Sequence, residues 1–160
     1  MKIILYSNKE YIDTTFNEIV KYYESNGLED KIKNISLLNK DLLSFDNEKL
    51  LKEKLGISIN DTISLVTPGN SFGIMSGGMD LVTNKLFNNE LEYYIQKEIN
   101  DKYTILNPCS SISINCKKLE ISNIYNIDTV IYTPTMFTPS QLFPFQNIPY
   151  KSTLSCFKYA

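Results

Sequence analysis

The chain has 160 residues, a net charge of −2 and a composition that is 42% hydrophobic and 21% charged, which is the balance of one globular domain. This composition excludes a disordered or fibrous chain, and the slight acidity disfavours nucleic-acid binding through a basic surface. All 16 basic residues are Lys, so no Arg or His occurs. Histidine-based nucleophile pairs, histidine-ligated metals and a guanidinium clamp for phosphate are therefore excluded.

Strands and helices are predicted to alternate through the first part of the chain. The apolar run at 2–7 predicts a buried strand, and apolar residues at helical spacing predict a helix over 10–25 that Gly27 ends. A loose alternation over 32–38 predicts a second strand. Residues 46–55 are typical of a helix that ends before a glycine.

The same alternation continues to the C-terminus, which predicts an α/β layered domain with a parallel or mixed sheet. Prolines and paired asparagines mark the breaks between elements. The remaining predicted elements are a strand at 62–67 ended by Pro68-Gly69, helical residues 79–99 with a break at Asn88-Asn89, short strands at 103–106 and 111–121, a buried strand at 128–133, a proline-rich loop at 134–149 and a helix beginning in 150–159.

Cysteine usage and hydropathy indicate a cytoplasmic protein. Cys109, Cys116 and Cys156 are an odd set without metal-like spacing, so we interpret them as reduced thiols. No stretch is apolar for long enough to be a signal peptide or a membrane span. We expect neither a metal nor a cofactor, and we expect no membrane partner.

The most informative segment is a glycine-rich loop over residues 66–80. It contains four of the chain's six glycines and lies between a predicted strand and a predicted helix, where open α/β sheets bind ligands. Successive N–H groups beside a helix N-terminus can bind a phosphate without any cationic side chain. The loop lacks the glycine spacing of a dinucleotide-binding fold and the Lys of a P-loop. The alternative is a purely structural turn between strand and helix.

The segment Val66-Thr67-Pro68-Gly69-Asn70, followed by Gly77-Gly78-Met79-Asp80, resembles the motif of macro domains, which bind ADP-ribose. Its form Asn-Ser-Phe-Gly-x-Met-x-Gly-Gly-x-Asp is similar to a macro-like branch found in phage, viral and microbial proteins. Two weaker similarities lie at 38–42, like the family's Gly-Asp-Ile segment, and at 130–136, like a later strand with a Pro-Thr-Met exit. The resemblance implies one macro-like domain over residues 1–160, with a three-layer α/β/α arrangement and a mixed sheet.

The resemblance also implies roles for particular residues. Asp41 would accept a hydrogen bond from the adenine amino group, and Asn70 would contact the distal ribose. Gly69 and the segment Gly77, Gly78 and Met79 would bring the loop against the ribose and diphosphate. Asp80 lies where the family often has an acidic residue at the start of a helix. The alternatives are a solvated turn for Asp41 and a helix N-cap for Asp80.

The sequence departs from the family pattern in two places. Lys40-Asp41 stands where the family has Gly-Asp. The chain stops at Ala160, where the resemblance implies a further strand and a second phosphate loop, so we expect a domain shortened at its C-terminus. The missing strand would expose a sheet edge that a partner protein could cover.

Two functions follow from these observations. The first is binding of ADP-ribose or a derivative, with hydrolysis of ADP-ribose esters or of ADP-ribose 1''-phosphate carried out by Asn70, which orients ribose or water, and Asp80 as a base. The alternative is a non-catalytic interaction or regulatory protein with a degenerate pocket. Cys156 is interpreted as a core residue. Phe143, Phe145 and Tyr150 either stack on adenine or form a hydrophobic latch over the sheet.

Overall fold

Two sheets organise the part of the chain that the computed structural model describes, residues 2–7, 11–39, 42–138 and 148–158. The chain divides into two compact units, Met1–Ile59 and Asn60–Ala160, and each contains one of the sheets. The expectation of one domain over 1–160 stays a prediction.

The N-terminal unit is a parallel strand pair with its connecting helix. Strand β1 (Ile3–Ser7) pairs with β2 (Ile35–Asn39), and helix α1 (Tyr11–Ser25) joins them. The predicted end of α1 is confirmed, because Gly27 has a left-handed φ of 66° and its N–H donates to the Glu24 carbonyl at 3.1 Å. This βαβ unit needs a crossover helix because its two strands are parallel.

Two 3₁₀ turns and one further helix are the other regular elements in the described part of the N-terminal unit. One 3₁₀ turn, Glu29–Lys31, precedes β2, and a second, Leu42–Ser44, follows it. Helix α2 (Glu48–Leu55) begins at Asn47, whose Oδ1 accepts a hydrogen bond from the Leu50 N–H at 3.1 Å. The predicted helix at 46–55 is therefore confirmed.

The C-terminal unit contains a three-stranded mixed sheet with the order β3-β5-β4. Strands β3 and β5 are parallel, whereas β4 and β5 are antiparallel, so the predicted mixed sheet is confirmed. Helix α3 packs against β3, and α5 packs against β5. The elements of this unit are β3 (Ser64–Asn70), α3 (Gly78–Leu86), α4 (Leu91–Lys102), β4 (Ile112–Asn115), β5 (Thr129–Met136) and α5 (Ile148–Cys156).

The two long strands are longer than the sequence predicts. Strand β3 continues through Pro68-Gly69, and β5 continues through Pro134, so the prediction that these residues end the strands is wrong. The parallel pairing of the two strands continues through these residues, because Pro68 pairs with Thr133 and Gly69 pairs with Pro134. Strand β3 lies at the edge of this three-stranded sheet, and edge strands are where a proline is tolerated.

Two other predictions are corrected in the same unit. Residues 103–106 form no strand, because Thr104 takes a left-handed φ of 63°. Only Ile112–Asn115 of the predicted strand at 111–121 is a strand, and a turn follows it. The predicted break at Asn88-Asn89 is confirmed, since both residues have a positive φ.

The core of the C-terminal unit lies between the sheet and its helices. Helix α4 buries Leu91, Ile95 and Ile99, which are spaced four residues apart and therefore share one face. Side chains that are less than 2% exposed include Tyr125, Tyr132, Phe87 and Met75. This packing fixes the carboxyl ends of β3 and β5, where the candidate site lies.

Candidate functional site

The loop that follows β3 is held together by the Asn70 side chain. Its Oδ1 accepts hydrogen bonds from the Phe72 N–H at 3.1 Å and the Ile74 N–H at 3.3 Å. Its Nδ2 donates to the Ile74 carbonyl at 2.7 Å. Asn70 is 2% exposed, so its buried amide group satisfies the backbone of a turn that would otherwise lack partners.

The Tyr132 side chain, on β5, also holds this loop in place. The Asn70 N–H donates to the Tyr132 hydroxyl at 2.8 Å, and that hydroxyl donates to the Asn70 carbonyl at 2.7 Å. A β-carbon at position 69 would overlap the Tyr132 ring and hydroxyl. Glycine at position 69 is therefore required by a neighbouring side chain, because the strand and the ring approach each other too closely for any other residue.

Beside this loop, at the carboxyl ends of β3 and β5, lies a cavity of about 330 Å³, which we call the loop hollow. It is lined by both strand ends and by the first residues of α3. Among the described residues that line it, Asp80 is the only charged one. The lining residues are Pro68, Gly69, Asn70, Ile74, Ser76, Gly77, Gly78, Met79, Asp80, Thr135 and Met136.

Backbone N–H groups along the loop divide into two sets. Those of residues 71–74 are bonded within the loop or to β5. Those of residues 75–80 have no hydrogen-bond partner among the described residues. The free N–H groups thus lie in the second half of the predicted loop, which leads into the N-terminus of α3. Free N–H groups at a helix N-terminus carry partial positive charge and favour an anion.

The two glycines of this donor segment are not required by packing. A β-carbon at Gly77 or Gly78 would meet nothing within 4 Å. Gly77 has an extended φ of −158°, which any residue adopts, and it is the N-cap of α3 without a capping side chain. Its missing side chain leaves the adjacent N–H groups open to a ligand.

Asp80 lies in the first turn of α3 and faces the hollow. The N-cap is Gly77, so the alternative interpretation of Asp80 as an N-cap is wrong. Its Oδ1 is buried and has no hydrogen-bond partner among the described residues. A buried acceptor without a protein partner is uncommon in folded proteins.

The pKa of Asp80 is raised to about 7. Burial is the main cause, the hydrogen bond from the Thr67 hydroxyl opposes it, and the charge of Glu92 adds to the increase. The Thr67 hydroxyl also lies 3.1 Å from that of Thr83, and both residues are fully buried. Burial, together with the charges of Asp80 and Glu92, raises the pKa of Tyr132 well above its usual range. A carboxyl that titrates near neutral pH suits proton transfer.

The structure brings most of the predicted site residues together. Gly69, Asn70, Met79 and Asp80 all line the hollow, as do the paired glycines at 77 and 78. Sequence reasoning missed Thr67, Tyr132 and Glu92, because only the packing of β3, β5 and α4 brings them near Asp80. Asp41, Phe143, Phe145 and the side chain of Tyr150 lie outside the described residues, and their roles stay predictions.

Other expectations concern residues away from the hollow. Cys156 is 4% exposed, so its interpretation as a core residue is confirmed. No helix in the described ranges combines the length and the apolarity needed to cross a bilayer. Cytoplasmic placement stays a prediction.

The fold and the loop define an α/β module with a glycine-rich loop between β3 and α3. A family model described as a macro-like domain matches residues 33–155. The chain therefore belongs to the macro-like domain family.

Individual proteins add little to this assignment. The chain is similar to the macrodomain of Mycobacterium tuberculosis DarG, with 16% sequence identity and a TM-score of 0.47. The match covers 75% of this chain and 63% of the other, so the chain spans less than two thirds of that structure's length. The comparison with curated proteins gives no match.

Proposed function

We propose that this chain binds ADP-ribose or a close derivative in the loop hollow. Membership of the macro-like domain family supports the ligand class, because macro domains bind ADP-ribose. The hollow supports the mode of binding: its described lining offers no cation, so the diphosphate would be held by backbone N–H groups.

The observation that carries this proposal is the set of N–H groups at residues 75–80 that have no internal partner. Residues 76–80 of this set line the hollow. A diphosphate placed there would satisfy several backbone donors at once and gain from the positive end of the α3 dipole. The N–H groups of residues 71–74, by contrast, are bonded within the loop or to β5 and the residue after it.

The proposed chemistry is hydrolysis of an ADP-ribose ester or of ADP-ribose 1''-phosphate, with Asp80 as general base. The Asp80 carboxylate would take a proton from water while the water oxygen attacks the ester carbonyl or the phosphorus. The bond to the ADP-ribose oxygen then breaks, and Asp80 returns its proton to that oxygen, which leaves as a hydroxyl group. A pKa of about 7 leaves enough carboxylate at neutral pH for this role. Asn70 would act through the loop that its side chain holds.

Binding is tested by isothermal titration calorimetry and by the shift of Tm with ADP-ribose. Ligand at a hundred times its Kd is expected to add about 2.7 kcal/mol to the free energy of unfolding. An unchanged Tm at millimolar ADP-ribose would favour the alternative, an interaction or regulatory protein with a degenerate pocket.

Turnover is then measured with both substrates for the wild type, Asp80→Asn and Asp101→Asn. Asp101 is exposed on α4, so Asp101→Asn removes an equal charge away from the hollow. We expect Asp80→Asn to lose at least 100-fold in kcat. Full turnover in Asp80→Asn at intact affinity would remove Asp80 from the mechanism.

A further inference from the structure

Asp80 is placed where an anionic ligand would meet it. Asp80 is one of the residues that line the loop hollow, and the N–H groups proposed to bind the diphosphate belong to residues 75–80, which end at Asp80 itself. An ionised carboxylate in the first turn of α3 uses the same positive helix end that the ligand would use. The two negative groups would therefore share one positive helix end and repel each other.

No neighbouring charge relieves this repulsion. The titratable groups that influence Asp80 from the elements packed around it are Glu92 on α4 and Tyr132 on β5, and β3 contributes the Thr67 hydroxyl. Among these groups and the described lining of the hollow, no side chain carries a positive charge. A diphosphate would enter a site whose only charged group is of its own sign.

We propose that ligand binding in the loop hollow is coupled to uptake of one proton by Asp80, so that the neutral carboxyl admits the diphosphate and the carboxylate opposes it. This inference rests on the proposed function and adds a pH control to the same site. The buried Oδ1 without a partner fits it, because protonation removes the need to solvate a buried charge.

The titration range of Asp80 makes this coupling effective near neutral pH. Its pKa of about 7 means that both forms are populated between pH 6 and pH 8. When only the neutral form binds, the apparent Kd rises in proportion to the reciprocal of the neutral fraction. Over this range the apparent Kd of ADP-ribose should therefore increase by up to about tenfold.

The coupling also separates binding from turnover. The carboxylate is the proposed catalytic form, and it is the form that the ligand disfavours. A bound diphosphate will raise the pKa of Asp80 above its value in the free protein, because like charges disfavour ionisation. We therefore expect both kcat and KM to increase as the pH rises. The increase in kcat should follow the pKa of Asp80 in the complex, which is higher than its pKa in the free protein.

The test is calorimetric titration of the full chain with ADP-ribose at pH 6, 7 and 8, in pairs of buffers with different ionisation enthalpies. The diphosphate of ADP-ribose keeps its charge over this range, so a pH effect reports the protein. Proton uptake appears as a dependence of the measured heat on the buffer. The variants are Asp80→Asn and, as a control for charge, Asp101→Asn, with circular dichroism to confirm that both are folded.

The expected result is weaker wild-type binding at pH 8 than at pH 6, with net proton uptake, and unchanged behaviour in Asp101→Asn. Asp80→Asn should bind with a Kd near the wild-type value at pH 6, independently of pH. Binding by the wild type that is constant or tighter at pH 8 would overturn the coupling and leave ADP-ribose binding intact. No binding at any pH would instead overturn the proposed function, and the coupling with it. If Asp80→Asn does not fold, the buffer dependence of the wild-type heat decides alone.

Discussion

The Tyr132 hydroxyl and the backbone of Asn70 are joined by two hydrogen bonds, of 2.8 and 2.7 Å, in which the hydroxyl is once acceptor and once donor. This arrangement places the Tyr132 ring directly against Gly69, where a β-carbon would overlap it. One side chain of β5 thus determines both the residue type at position 69 and the position of the loop after β3.

Gly69→Ala should therefore destabilise the protein by about 2 kcal/mol, because the methyl group overpacks a buried ring that cannot move without losing both hydrogen bonds. Urea denaturation gives the free energy of unfolding. In a Tyr132→Leu background the added cost of the alanine should fall, since the overlapping atoms are gone. An equal cost in both backgrounds would assign the effect to backbone strain instead.

Gly77→Ser should separate stability from binding. A serine at this N-cap meets open space, and its hydroxyl can accept a hydrogen bond from a free N–H of the first turn. We expect the free energy of unfolding to be unchanged or higher by a few tenths of a kcal/mol. The affinity for ADP-ribose should fall by about tenfold, because the side chain enters the hollow and uses one of its donors. Calorimetry would contradict this if the affinity stayed at the wild-type value.

Asn70→Ala should act mainly by loosening the loop after β3 rather than by removing a direct contact with the ligand. Removing the side chain leaves the Phe72 and Ile74 N–H groups without their acceptor, at a cost of about 2 kcal/mol. Hydrogen exchange should show lost protection at these two amides. Protection that is unchanged, together with weaker binding, would instead support the direct ribose contact that the family resemblance implies.

Much of the loop site could be predicted from the sequence, because it depends on local pattern. The glycines between a strand and a helix indicated the site at 66–80, and the free donors of residues 75–80 follow from their place at the start of α3. The environment of Asp80 could not be predicted in this way. Thr67, Glu92 and Tyr132 come from three different elements, and only the tertiary packing brings them to one carboxyl. The extension of β3 through Pro68 was missed for a related reason, since its tolerance depends on the edge position of that strand.

Asp80 should make the stability of the protein depend on pH. Its pKa is about 7 in the folded state and 3.8 as the ordinary value, so between these values the folded state binds more protons than the unfolded state. The free energy of unfolding should therefore decrease as the pH rises from about 4 to about 7. Asp80→Asn should match the wild type near pH 4 and exceed it at pH 8 by about 2 kcal/mol, a figure reduced for partial solvent screening. Urea denaturation at both pH values, with Asp101→Asn as control, would contradict this if both variants behaved alike.

Thr67→Val should shift the titration of Asp80 without changing the shape of the site. The substitution keeps the volume of the side chain but removes the hydroxyl whose hydrogen bond lowers the pKa of Asp80. The pKa should rise above 7, and the pH at which ADP-ribose binding weakens should rise with it. Carbon-13 NMR of the Asp80 carboxyl measures the first quantity, and calorimetry measures the second. Thr67→Ser keeps the hydroxyl and should titrate as the wild type does, whereas a carboxyl titration that is the same in Thr67→Val would show that Thr67 only fills space beside Thr83.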